Sequence, residues 1–312
     1  GGASKASCPQ GHVGSNPTLQ RNWLWPAVAG AIALGAAVLS WIHFRETPPA
    51  VQSLRTQLTR PGDMGFAHFQ LSPDGRYLTF VSRPGPGIPV RLYVRALDSL
   101  QDREFPGTDG TTFPFWSPDS ARIAFFSQGQ LNQVAVGGGP STKIADAPDP
   151  RGGAWGPDNT IVFAPSPTGT LSRVTVSTDG SGGPATPMKL PRPEEAEGDS
   201  ARFPAFLPDS NRFFYTVEAK TRENEAIYVG SLGEDPPVRI LPDLSTTRFV
   251  PSPGSDSNGF MLFRRKTTLM AQPFDAANLK TTGEAFPLAG DVPDSGNTSN
   301  VAFTVSANGT LL

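Results

Sequence analysis

Four aspartates recur at one place in a repeating pattern: Asp74, Asp119, Asp158 and Asp209 each follow a proline, Pro73, Pro118, Pro157 and Pro208. A set of carboxylates invites a metal-binding or acid/base reading, and that chemistry needs the groups to converge on one point. These are 45, 39 and 51 residues apart, each inside its own Pro-Asp-(Gly/Ser/Asn) tripeptide. Such tripeptides build turns. Proline sets φ, the aspartate carboxylate bonds its own backbone, and Gly75 or its equivalent takes the awkward last position. The nine residues Pro73, Asp74, Gly75, Pro118, Asp119, Pro157, Asp158, Pro208 and Asp209 are therefore read as structural.

The remaining reactive side chains are sparse. His12 lies in a polar N-terminal stretch, where CPQGH (8–12) holds only one cysteine, Cys8, and offers too few ligands for zinc. His43 ends an apolar run and reads as an interfacial residue. His68 precedes the first turn and reads as a packed side chain or one facing a central channel. No G-x-S-x-G nucleophile elbow occurs, nor any G-x-G-x-x-G-x-V, V-A-I-K, H-R-D or D-F-G stretch. No catalytic residue, metal ligand or cofactor is assigned, and the binding residues are unknown at this level.

The turns belong to a larger repeat. FQLSPDGRYLTFVSR (69–83) returns as PFWSPDSARIAFFSQ (114–128), GAWGPDNTIVFAPS (153–166) and PAFLPDSNRFFYTVE (204–218). A weaker copy, VPSPGSDSNGFMLFRR, runs from 250 to 265, and a last one is FTVSANGTLL (303–312). From Pro73 through Pro118, Pro157, Pro208 and Pro253 to Ala307 the steps are 45, 39, 51, 45 and 54 residues. Periods near 40–45 mark propeller blades, each a small four-stranded sheet.

Within a repeat, apolar anchors such as Leu78 and Phe80, or Ile123 and Phe125, follow the turn at strand spacing. Third strands are predicted at 92–99, 131–138, 171–180, 227–235 and 269–278, and short fourth pieces at 143–146 and 238–243. A lone sheet of this kind cannot bury both faces, so the blades must stack in a ring. The expected class is all-β, with about six blades of four-stranded antiparallel sheet spanning 53–312 and the last blade incomplete. Residues 53–59, with LRTQLT at 54–59, are expected to supply a closing strand. The acidic PEEAEGD (193–199) and basic RRK (264–266) read as solvated loops.

Composition agrees with many tight turns. Glycine and proline number 33 each in 312 residues, well above their usual combined share of about 12 %. The 20 phenylalanines argue against disorder. A formal charge of −2 leaves no electrostatic case for nucleic acid.

Residues 22–44, NWLWPAVAGAIALGAAVLSWIHF, carry no charge and are long enough to be expected as a membrane-spanning helix. Trp23, Trp25 and Trp41 would mark its interfaces. A polar juxtamembrane linker without regular structure (1–21) precedes it, and a second linker (45–52) follows. Ala29, Ala33 and Ala37 recur at four-residue steps, a spacing that suits close pairing of two such helices in a homodimer.

The SPDG hairpin followed by LYV-x-x-LD resembles the TolB-type (WD-repeat-like) propeller repeat. WSPDSARIAFFS (116–127), IYVGSLG (227–233) and TLMAQPFD (268–275) resemble, more narrowly, the sensor region of bacterial membrane-spanning serine/threonine protein kinases. That resemblance implies a non-catalytic propeller outside the inner membrane, tethered by one helix and binding a protein or small molecule at one face. It also implies a kinase domain on the other side of the helix, whose motifs this chain lacks. The competing expectations are the propeller of a membrane-anchored serine hydrolase and a freestanding scaffold.

Overall fold

In the computed structural model, residues 24–45, 68–83, 85–190, 199–293 and 300–312 are described, with helix side chains described for 25–38 and 40. The chain separates into two units, Gly1–Leu58 and Thr59–Leu312, each treated by itself. Residues 1–21, 46–52, 193–198 and the predicted closing strand at 53–59 lie outside the described residues.

The first unit holds one helix, α1 (Leu24–Arg45), rich in alanine and with Pro26 in its first turn, where a missing N–H costs little. Its described side chains are exposed, Trp25 to 77 %. Among the described residues no helix is long and apolar enough to cross a membrane. This corrects the expectation of a spanning segment at 22–44.

The second unit is a ring of antiparallel sheets. Blade 1 contains β1 (Phe69–Leu71), β2 (Tyr77–Ser82), β3 (Arg91–Ala96) and β4 (Asp102–Glu104). Blade 2 contains β5 (Thr112–Trp116), β6 (Arg122–Ser127), β7 (Gln130–Ala135) and β8 (Thr142–Asp146). Blade 3 is built from β9 (Gly153–Trp155), β10 (Thr160–Phe163), β11 (Ser172–Thr175) and β12 (Thr186–Pro187). In blade 4 they are β13 (Ser200–Phe206), β14 (Arg212–Glu218), β15 (Ala226–Ser231) and β16 (Val238–Leu241). Blade 5 has β17 (Arg248–Pro251), β18 (Asn258–Arg265), β19 (Thr268–Asp275) and β20 (Lys280–Thr281), with β21 (Phe286–Ala289) also pairing on β19. The first strands β1, β5, β9, β13 and β17 neighbour one another in that order and form the inner wall.

The ring has five blades among the described residues, which corrects the expected six. Among the described residues the sixth repeat forms only a hairpin, bridged antiparallel at Val305 and Leu311. That hairpin joins the ring's two ends. The backbone N–H of Leu71 donates to Thr304 Oγ1 at 3.0 Å, and that of Ala307 to Pro73 O at 3.0 Å. Val301 and Phe303 pack on Leu262, Leu269 and Ala271 of blade 5.

Stacking explains why both faces of the second strands are apolar. Ile123 and Phe125 pack toward Leu92 and Val94 of blade 1, whereas Ala124 and Phe126 pack toward Trp155, Ile161 and Phe163 of blade 3. Alternate residues point to opposite faces, and each face meets a different blade.

The turns repeat in detail. In blade 1 the Ser72 hydroxyl donates to Asp74 Oδ1 and accepts from the backbone N–H of Tyr77, while Asp74 Oδ1 accepts from that of Arg76. Ser117 and Asp119 repeat this with Arg122 and Ala121, and Ser306 with Asn308 does so at the ring closure. The last position of each turn has a left-handed backbone: Gly75, Ser120, Asn159, Ser210, Gly254 and Gly309, with φ from 59° to 86°. Glycine and small polar residues tolerate that conformation best.

Candidate binding channel

Counting back five residues from the turn proline of each blade gives His68, Phe113, Gly152, Phe203 and Arg248, and from Ala307 gives Ala302. All six line one cavity on the ring's inner wall, of about 50 Å³. A single repeat position therefore supplies one channel residue per blade. Phe113 (φ 44°), Gly152 (φ 86°) and Phe203 (φ 53°) all have left-handed backbone, and in blades 2 and 4 the strand bulges there. A bulge bends the strand and re-aims its side chain. Glycines in blade 3 make room for the neighbouring rings: a Cβ on Gly152 would lie 2.7 Å from Phe203, and one on Gly153 2.7 Å from Phe115.

The rings form a chain across the cavity. His68 and Phe113 have centroids 4.3 Å apart, and Phe113 and Phe203 5.7 Å. His68 Nδ1 is 3.1 Å from Asn300 Nδ2, and Thr246 Oγ1 donates to Asn300 Oδ1 at 3.3 Å. Burial pushes the His68 imidazole down to about 4, so it is neutral at pH 7.

A second cavity of about 220 Å³ continues along the inner wall and shares Gln70, Phe115, Gly153, Pro204 and Arg248 with the first. Trp116 and Trp155 also line it. Three polar groups stand out. The Arg248 guanidinium donates to Thr247 O at 3.0 Å and has no carboxylate beside it among the described residues. The Trp155 indole N–H and the Gln70 side-chain carbonyl are buried without a hydrogen-bond partner. Native proteins leave few buried polar groups unpaired, so two beside an arginine without a carboxylate single this cavity out.

The recurrent aspartates do not gather here. Each stays in its own blade's turn, and no group of three or more His, Cys, Asp or Glu among the described residues could hold a metal ion. His43 and the metal-poor CPQGH segment lie outside the described side chains. His68 is the one histidine placed in the channel. Arg248, Gln70 and the Trp155 indole were not singled out from sequence, although Arg248 falls at the same repeat position as His68.

No family model matches this chain, and no curated protein does. Solved structures do. A putative TolB from Agrobacterium tumefaciens matches at TM-score 0.55 and 17 % identity, over 80 % of this chain and 88 % of that one. The fold is a TolB-like β-propeller. TolB from Acinetobacter baumannii matches at TM-score 0.54 and 12 % identity over 73 % of this chain. The TolB-like chain spans 55 % of the length of that second structure. At these identities the likeness is one of fold.

Proposed function

We propose that this TolB-like chain is a non-catalytic binding module that takes its ligand in the central channel. The observation that carries the reading is the convergence of one residue per blade on a cavity that also holds unpartnered buried polar groups. Ligand sites combine apolar walls with a few polar groups that fix orientation, and this channel has both.

The finer reading is a sensor region of a transmembrane-signalling serine/threonine kinase, on the outer side of the inner membrane. It rests on the resemblance carried by residues 116–127, 227–233 and 268–275. In this reading the apolar helix Leu24–Arg45, exposed over 25–38, contacts lipid, and Ala29, Ala33 and Ala37, all exposed, pair two chains. Ligand in the channel would then bias that pairing.

A fragment screen by NMR on the isotopically labelled chain tests the binding reading. Binders are expected to shift resonances of His68, Phe113 and Phe203 and to lose affinity at least tenfold in Ala302→Trp, which fills the narrow cavity. Binders that map only to the blade rims sink the reading. Reading the parent gene tests the kinase part: H-R-D and D-F-G codons ahead of Gly1 support it, and a G-x-S-x-G hydrolase domain after Leu312 overturns it.

A further inference from the structure

We propose that the channel selects a small organic monoanion, a carboxylate gripped by Arg248, with its apolar body against the aromatic wall. The inference rests on the channel being a binding site and specifies the chemistry of what it binds.

Arg248 opens β17 on the inner wall and borders both cavities. It lies deep in the ring yet keeps part of its surface accessible from the channel. Elsewhere in the propeller, several arginines have acid partners. Arg95 meets Asp102 at 2.5 Å, Arg91 meets Glu104 at 2.6 Å and Asp109 at 2.7 Å, and Arg265 meets Asp243 at 2.8 Å. Arg202 likewise pairs with Glu218. Arg248 differs in being bordered by Thr246, Asn300, Gln70 and aromatic rings, none of which carries negative charge. Burying a guanidinium without a counter-charge is costly, and a carboxylate relieves that cost through two parallel N–H···O bonds. Burial lowers the Arg248 pKa to about 10, which leaves the group cationic at neutral pH.

The charge count sets the ligand's charge. His68, the other titratable group lining the cavity among the described residues, is neutral at pH 7, so those residues offer one positive charge. One cation matches a monoanion better than a phosphate dianion. The rest of the ligand meets Phe115, Trp116, Trp155 and Phe206 on the wider cavity. The Trp155 indole, 7 % exposed, lines the same wall, and its buried N–H has no partner. A volume of about 220 Å³ limits the body to one ring or a short chain.

The test compares phenylacetate with phenylacetamide, which share shape and differ in charge, by titration calorimetry and ligand-observed NMR on the full chain at pH 7. Phenylacetate is expected to bind at least tenfold more tightly and to shift the Trp155 indole N–H resonance. The preference should vanish in Arg248→Met and survive in part in Arg248→Lys, each checked for wild-type circular dichroism. The acid–amide comparison on the unaltered chain needs no variant to fold. Equal binding of acid and amide in the channel overturns the carboxylate assignment and leaves the binding module standing. An acid preference that persists in Arg248→Met, or binding of neither probe, also overturns the assignment; the fragment screen decides the broader reading on its own.

Discussion

Thr304→Val tests how this ring is closed. Thr304 is 1 % exposed, and its hydroxyl accepts the Leu71 backbone N–H across a sequence separation of 233 residues. Valine keeps the shape and removes the acceptor, leaving a buried N–H at Leu71, itself 2 % exposed, without a partner. A buried donor left unsatisfied costs about 1–3 kcal/mol. For a domain of this size each kcal/mol moves Tm by roughly 2–4 °C, so a drop of about 2–12 °C is expected. The assay is thermal and urea unfolding followed by circular dichroism, with Thr310→Val as the control. Thr310 sits in the same hairpin but is exposed, and its hydroxyl bonds only Asn308 at 3.0 Å, so its change should stay within about 0.5 kcal/mol. If Thr304→Val melts with the unaltered protein, the hairpin at 300–312 does not clasp blade 1 and the closure described above is wrong.

Phe126→Ala, at the interface of blades 2 and 3 and 1 % exposed, is expected to cost about 3–5 kcal/mol in urea unfolding, whereas the exposed Leu100→Ala should cost little. His68 should show no titration shift in NMR between pH 7 and 5.5, because its folded pKa of about 4 lies below the unfolded value near 6.5. The unfolded chain then takes up the proton first, so His68 lowers stability as pH falls from about 6.5 to 4. A His68 titration near 6.5 would contradict its buried placement. In the turns, the Ser117 hydroxyl most of all holds the Asp119 carboxyl below its usual range, against partial burial, with the Ala121 N–H assisting. The stability this contributes is present above pH ~3.9 and is lost as pH falls through the lower folded pKa, so Asp119→Asn should shift the acid-unfolding midpoint less steeply below pH 4 than wild type.

The repeat was legible because it is local. A turn that needs proline, a carboxylate and a left-handed residue within four positions writes itself into adjacent letters, and the apolar strands flanking it follow at fixed distance. Trp116, Trp155 and Phe206 sit in first strands, and the third strands at 91–96, 130–135, 172–175, 226–231 and 268–275 lie in or at the edge of the predicted segments. The number of blades was less legible. Hairpin count equals blade count only if every hairpin finds two more strands, and among the described residues the sixth does not. The membrane expectation for 22–44 rests on length and apolarity along the chain alone.

The channel was the least legible part. His68, Phe113, Gly152, Phe203, Arg248 and Ala302 share a repeat position, yet they differ in chemistry and lie dozens of residues apart, so no short motif joins them. Their types were always readable; their convergence was not. By itself the sequence determined the turns, the strands and the all-β repeat, since those depend on neighbours along the chain. Only the closed ring decided that one arginine without an acid partner, one indole and one amide would meet across its axis, because that meeting depends on how the blades stack around it.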